Sequence, residues 1–332
     1  MKVLRPGLLT TVQDLGRAGY RRYGVAVGGA MDPFAIRLAN RLVGNRDTAA
    51  ALEITLTGPT LEFEEDALIA ICGADLSPAI EDRPVPQWRP ACVQRGAVLK
   101  FGQLVSGCRA YLAIAGGIEV PMVLGGRGTH LRARFGGLEG HALRAGDELE
   151  PGRPPEIILA LMRKLRTTDG QLSAAEWSVS QTALPTYRPE VTARIVAGDC
   201  FDLLTAGSRE LLLSTPFAVT ADSDRMGYRL KGGRLDLSTS LEAISEPVCA
   251  GTMQLPPEGH PVLLMVDCQT TGGYPRIAHV ISVDLSLLGQ LKPGDHVRFS
   301  AVSLDEAQQL HLAHQRRWEQ LAQGIAWRIA ST

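Results

Sequence analysis

An apolar run, Val262-Leu263-Leu264-Met265-Val266, delivers a sudden cluster of polar groups: Asp267-Cys268-Gln269-Thr270-Thr271-Gly272-Gly273-Tyr274-Pro275. A carboxylate, an amide and hydroxyls at a strand end can accept from an N–H and donate to a carbonyl oxygen. The glycines let the backbone approach a small ligand closely. Burial of so many polar groups would demand a partner for each, which favours a site over a plain polar turn capping the strand. Ser245-Glu246-Pro247 and Gly251-Thr252-Met253-Gln254 add a carboxylate and an amide able to converge on the same place. Asp267 and Glu246 are the candidate acid or base, with Arg225, Gln254, Gln269, Thr270, Thr271, Gly272, Gly273 and Tyr274 around a ligand. A nucleophilic Cys268 finds no basic neighbour in sequence to hold a thiolate.

A second candidate lies near the start. Gln13-Asp14-Leu15-Gly16-Arg17-Ala18-Gly19 is followed by Gly28-Gly29-Ala30-Met31-Asp32. Glycines at this density offer N–H groups to an anion, and Asp14 and Arg17 with the Gly28-Gly29 backbone would form one wall of a site. The competing reading is a tight turn with Asp14 and Arg17 as a local ion pair. The residues alone leave both open.

The two regions are linked by a repeat. Asp14 to Arg21 reads D-x-x-R-x-G-Y-R, and so does Asp222 to Arg229. Each copy is followed, in the same order, by a Glu (Glu53; Glu246), a Gly pair (Gly116-Gly117; Gly272-Gly273) and a Gly-Asp turn. Those turns are Leu143-Arg144-Ala145-Gly146-Asp147-Glu148-Leu149 and Leu291-Lys292-Pro293-Gly294-Asp295-His296-Val297. The preserved order argues for two related half-domains with a cleft between them, a common place for a small-molecule site.

Short apolar or alternating runs punctuated by Gly and Pro must position these groups, which predicts a mainly β architecture with few helices. Asp32-Pro33 predicts a helix start, with Ile36, Ala39 and Val43 on one face until Gly44-Asn45. Ser303-Leu304-Asp305-Glu306 predicts a second, with Ala307, Leu310, Ala313, Leu321 and Ile325 as a stripe and Trp318 nearby, packing on its own barrel. Proline-rich Pro151-Gly152-Arg153-Pro154-Pro155 and Pro185–Pro189 bracket a connecting stretch. This divides the chain into an N-terminal half (1–155), a linker region (156–189) and a C-terminal half (190–332). Within the linker, Thr167-Thr168-Asp169-Gly170 and Ala174-Ala175-Glu176-Trp177 read as a loop with a short helix.

A chain of 332 residues suits two domains, and its net charge of −1 gives no electrostatic case for nucleic acid or an anionic membrane. No run of about 18 apolar residues occurs, so no membrane span is expected. Six cysteines without a C-x-x-C pair fit free thiols in the cytoplasm, and the seven histidines lack metal-ligand spacing. There is no G-x-x-x-x-G-K-[ST], no G-x-S-x-G and no H-E-x-x-H.

The motifs resemble the allophanate hydrolase subunit 2 family, also called the KipA or biotin-dependent carboxyltransferase family. The resemblance is carried by Gln13–Gly19, Gly28–Asp32, Leu42-Val43-Gly44-Asn45, Tyr111–Gly117, Ser223–Leu230, Ser245-Glu246-Pro247 and Gln269–Pro275. It implies two related cyclophilin-like β-barrel half-domains with a few helices. It also implies a KipI-like partner on a separate chain. Members of this length resemble the C component of an ATP-dependent 5-oxoprolinase, which works with KipI-like and LamB/YcsF-like components. ATP, with magnesium, would then phosphorylate the lactam oxygen of a small cyclic-amide substrate, and water would open the ring. Two alternatives stand beside this. One is the carboxyltransferase component of a urea-type carboxylase, with biotin carried by another chain, since no lysine here sits between methionines. The other is a non-enzymatic antagonist of a histidine-kinase inhibitor.

Overall fold

Short runs rich in Val, Ile, Leu and Ala, many of them followed closely by Gly, Pro or Asp, form strands throughout the chain. The computed structural model describes residues 1–166, 170–239 and 244–332. Residues 167–169 of the expected linker loop therefore lie outside the described residues. The rest divides into two compact units, each built from more than one stretch of sequence.

The first unit comprises Met1–Arg17, Asp32–Thr186 and Trp318–Thr332. Its strands are β1 (Lys2–Arg5), β2 (Leu9–Gln13), β3 (Ala51–Thr55), β4 (Thr60–Glu62) and β5 (Ala67–Asp75). They continue with β6 (Ala79–Ile80), β7 (Arg83–Pro84), β8 (Ala91–Val93), β9 (Val98–Lys100), β10 (Ser106–Ile114) and β11 (Leu172–Ala174). They form two sheets, in the orders β1-β4-β9-β6-β7 and β11-β8-β5-β10-β3-β2. Val12, Leu52, Ile54, Leu61, Ile69, Ile71, Leu99 and Leu112 are among its fully buried core. Helix α1 (Pro33–Leu42) lies against β5 and β10. Its start is as expected: the Asp32 carboxylate accepts from the Ala35 N–H at 3.0 Å, and Ile36, Ala39 and Val43 are buried.

The connecting stretch behaves differently from expectation at Ala174–Trp177. The helix there is α2 (Glu156–Leu165), which buries Ile158 and Leu161, while Leu172–Ala174 is β11, paired with β8. An edge strand open for pairing overrides the helix propensity of Ala-Ala-Glu.

The second unit comprises Ala18–Met31 and Tyr187–Arg317. Its strands are β12 (Glu190–Ala197), β13 (Phe217–Val219), β14 (Gly227–Lys231), β15 (Glu246–Pro247) and β16 (Thr252–Gln254). They continue with β17 (Val262–Leu264), β18 (Thr271–Gly272), β19 (Arg276–Val280) and β20 (His296–Ala301). Seven of them close a barrel in the order β12-β19-β16-β17-β14-β13-β20, sealed by parallel pairing of β12 with β20. Closure removes the open edges. Phe217, Tyr228, Met253, Leu263, Ile277, Val297 and Phe299 fill it, joined by Met31 from the N-terminal segment. β15 and β18 form a separate two-stranded ribbon. The expected mainly β architecture is thus found; the barrel closes in the second unit, and the first carries two sheets.

Helices α3 (Ala206–Ser214) and α4 (Leu285–Leu288) precede the long α5 (Leu304–Ser331). The α5 start is capped as expected, Ser303 Oγ accepting from the Glu306 N–H at 3.1 Å. Its apolar stripe is corrected in part: Ala313 is exposed, Ile325 and Trp318 are buried as expected together with Ile329, and these three belong to the first unit, not to the barrel. Trp318 there meets Phe34 edge-on, with Arg37 stacked 3.9 Å from its ring. No described helix is long and apolar enough to cross a membrane.

The repeat is visible as geometry. The Arg144 N–H donates to Asp147 Oδ2 at 2.7 Å, and the Lys292 N–H to Asp295 Oδ2 at 3.1 Å. Gly146 and Gly294 take φ of +92° and +91°. Each turn also bonds a strand of its own unit: Val3 N–H to Asp147 O and Val219 N–H to Asp295 O, both at 2.8 Å.

Candidate functional site

The second unit holds most of the chemistry. β17 and β14 pair from Arg229–Val262 to Gly227–Leu264, and the ladder runs on as the Met265 N–H donates to Met226 O and the Asp267 N–H to Arg225 O. That pairing brings Arg225 beside Asp267. Arg225 Nε donates to Asp267 Oδ2 at 2.8 Å and Nη2 to Oδ1 at 3.1 Å, with both residues buried. This two-bonded geometry is the strong form of the guanidinium–carboxylate pair. Asp224 fixes the approach, its Oδ1 accepting from the Met226 N–H at 2.8 Å.

Gly28 and Gly29 belong to this unit, whereas Asp14 and Arg17 belong to the first. The Gly28 N–H donates to Val266 O at 3.0 Å, and Arg225 Nη2 donates to Gly29 O at 2.6 Å. The N-terminal segment is thereby pinned on the turn that carries Asp267.

Beyond Asp267 the chain forms the β15–β18 ribbon, Glu246 opposite Gly272 and Pro247 opposite Thr271. Buried Gln254 donates through Nε2 to Tyr274 O at 3.3 Å. A Cβ at position 272 would stand 2.5 Å from that amide, so Gly272 is where the backbone passes over Gln254. Gln269, Thr271, Gly273 and Tyr274 are exposed and Thr270 half-buried. Among the described residues the side chains of Gln269, Thr270, Thr271 and Tyr274 make no hydrogen bond. Glu246 is exposed and bridged to Arg276 Nη2 at 2.5 Å; Arg276 also binds Asp199 and the Pro247 carbonyl. Sequence reading missed Arg276; its place directly after the Tyr-Pro of the motif was the available signal.

Cys268 is buried, and its thiol is pushed up to about 11, chiefly by burial and then by nearby Cys249, with the positive charge of Arg21 acting against them. That fits the expectation of no nucleophile there. His279 accepts or donates at 3.3 Å to Thr252 Oγ1, and burial lowers its tendency to take a proton.

In the first unit, Asp14 and Arg17 are buried and engaged with a glycine-rich loop. Asp14 Oδ1 accepts from the Gly16 N–H at 2.8 Å and Oδ2 from the Arg127 N–H at 2.5 Å. Arg17 donates to Gly128 O and lies 4.8 Å from the Phe135 ring centre. Gln13 Nε2 adds a bond to Thr129 O at 3.1 Å. These bonds anchor residues 123–137, partners distant in sequence that neither reading of the motif named. A further buried network escaped sequence reading. Tyr111 Oη donates to Glu53 at 2.7 Å and accepts from the Asp32 N–H at 2.8 Å; its proton is held tightly, first by burial and then by the Glu53 charge.

The profile of the carboxyltransferase domain, subdomains A and B, matches residues 23–301. The chain belongs to this family. It is 38% identical to the C component of 5-oxoprolinase from Escherichia coli, over 99% of this chain and 98% of that one. With the corresponding 5-oxoprolinase component of Haemophilus influenzae it shares 36% identity over 90% of each chain. The crystal structure of Kluyveromyces lactis urea amidolyase superposes with a TM-score of 0.86 at 32% identity, covering 96% of this chain and 20% of the larger one. Family members therefore occur both as chains of this length and as one part of a much longer polypeptide.

Proposed function

We propose that this chain is the C component of an ATP-dependent 5-oxoprolinase, working with KipI-like and LamB/YcsF-like components to open 5-oxoproline to glutamate. The observation that carries the reading is co-extension. The chain matches the Escherichia coli 5-oxoprolinase component from end to end, whereas it corresponds to 17% of the Saccharomyces cerevisiae urea amidolyase.

The chemistry of the second unit supports it. A lactam presents one N–H and one carbonyl oxygen, and hydrolysis develops charge on that oxygen. Gln269, Thr271 and Tyr274 supply donors at the mouth of the ribbon, and Glu246 is the exposed carboxylate available for proton transfer. Asp267, doubly held by Arg225, shapes the turn from which those groups project. ATP with magnesium serves the complex. Among the described residues no group of three or more His, Cys, Asp or Glu is arranged for a metal ion. All six cysteines are free thiols, in keeping with work in the cytoplasm.

The second reading, carboxyl transfer with biotin on another chain, is favoured by the fit to the urea amidolyase structure. Reconstitution separates the two. The chain is combined with the KipI-like and LamB/YcsF-like components of its organism, and glutamate release from 5-oxoproline is followed with and without ATP. ATP-dependent release that needs this chain, and that falls at least 100-fold in kcat with Glu246→Gln, is the expected result. A well-formed complex that releases no glutamate sinks the hydrolase reading, and carboxylation of urea by an added biotin carrier then becomes the assay.

A further inference from the structure

The first turns of α5 meet the barrel through one face, on which Leu304, Ala307, Gln308, His311 and Leu312 recur at helical spacing. Opposite them stand Val196 of β12 and His279 of β19, which pair directly, with Ile281 and Ser282 just beyond β19. The two walls do not close on each other. They enclose a trough of about 630 Å³, a volume in the usual range for a small-molecule site, and every residue lining it belongs to the second unit. Bonds hold it open at both ends. The Val302 N–H donates to Ile195 O at 2.9 Å just before the helix, and further along His311 Nδ1 is bonded to Ser282 Oγ at 3.2 Å. Arg194 fixes the turn after β19, donating to Asp284 Oδ1 at 2.6 Å and Oδ2 at 3.0 Å.

The lining has a definite chemistry. Leu304 and Leu312 are 60% and 51% exposed although they line the trough, so the helix offers it apolar surface that its own protein leaves uncovered. Among the described residues that line it, none is Asp, Glu, Lys or Arg, and the titratable groups are the two imidazoles. At His279, the Thr252 hydroxyl accepts from the Cys249 N–H at 3.2 Å and lies 3.3 Å from Nδ1. Imidazole nitrogen is a better acceptor than Cys249 Sγ, 3.8 Å from the same hydroxyl, so the hydroxyl proton goes to Nδ1. Burial favours the neutral ring, whose own proton is then on Nε2 as a donor. Gly251 keeps the space beside that edge clear, since a Cβ there would stand 3.2 Å from Nε2.

We propose that the trough binds an aliphatic carboxylic acid of medium chain length, the chain lying along Leu304, Leu312, Val196 and Ile281 and the carboxylate accepting from His279 Nε2. A space of this size equals about twenty water volumes, enough for a chain of roughly a dozen heavy atoms in an open groove. An ammonium head would meet the Nε2–H donor and no carboxylate.

The probe is decanoate, titrated calorimetrically into the full chain, with decylammonium as the same chain under a head that cannot accept. Decanoate is expected to bind saturably with a micromolar Kd, at least about 10-fold tighter than decylammonium. Ala307→Trp, which fills the trough with an indole, should abolish decanoate binding. His279→Leu should cut the preference for decanoate about 10-fold while the chain's own affinity remains. Leu312→Asp, at an exposed position that spares the barrel, should weaken decanoate at least about 10-fold even if the His279 variant fails to fold. Unchanged decanoate binding in Ala307→Trp and Leu312→Asp would overturn the proposal, as would equal binding of decylammonium or no saturation up to about 1 mM. A dimer in sedimentation that Leu312→Asp dissociates would also overturn it, assigning the trough to a second copy of the chain.

Discussion

A charge buried in a pair is stable only while its partner is present, and Asp267 and Glu246 differ in this respect. Both oxygens of Asp267 are held by buried Arg225, so Asp267→Asn leaves a guanidinium half-satisfied where little water reaches it. We expect a loss of about 3–5 kcal/mol in urea unfolding, largely recovered in an Arg225→Met, Asp267→Leu double variant that removes both charges. Glu246→Gln, at an exposed bridge, should cost less than about 1 kcal/mol. Activity lost in Asp267→Asn alone is therefore ambiguous, and Glu246→Gln is the cleaner test of catalysis. Cys268 gives a pH signature. With its thiol pushed up to about 11, alkylation by iodoacetamide should keep accelerating with pH beyond 9, where an ordinary thiol has levelled off. Arg21→Gln should slow it further at a given pH, since a cation that favours the thiolate has gone. A plateau near pH 9 in the native chain would contradict the buried setting.

Elements explain what could be read in advance. The capped start of α1 and of α5, the strand-rich pattern and the Gly-Asp turns rest on local rules, and local rules are written in neighbouring residues. The bonding of Gly28 to Val266, of Arg225 to Gly29 and of Arg276 to Glu246 is not local; nothing in either partner's neighbourhood names the other. The same holds for the β11–β8 pairing that replaced an expected helix, and for Asp14 and Arg17, whose partners lie in the loop at Val123–Thr129. Yet the ordered echoes did report a shared turn. Gly146 and Gly294 have positive φ and no atom within 4 Å of a built Cβ, so alanine at either meets backbone strain without a clash. Gly146→Ala and Gly294→Ala should each cost about 1–2 kcal/mol, and by similar amounts, measured as urea midpoints. A loss confined to one of them would mean that the turns are alike in sequence only.

At the scale of the whole molecule, the two units do not coincide with two consecutive stretches of chain. Residues 18–31 belong to the barrel unit, supplying Met31 to its core and Gly28 and Gly29 to the Asp267 turn. Residues 318–332 belong to the sheet unit, where Trp318 is buried against Phe34 and Arg37. A cut between residues 186 and 187 therefore leaves the barrel fragment without a core methionine and with Arg225 short of one acceptor. Losing a buried methionine side chain alone costs about 2–5 kcal/mol, a large share of the stability of a domain this size. The expected outcome is that residues 187–317 expressed alone are loosely packed, with weak near-ultraviolet dichroism, and that a synthetic peptide of residues 18–31 raises their unfolding midpoint in a saturable way. Substituting Met31→Ala in that peptide should weaken the rescue more than Tyr23→Ala, because Met31 is 1% exposed and Tyr23 66%. Should the fragment reach its full midpoint without the peptide, the N-terminal segment would be a passenger on the barrel.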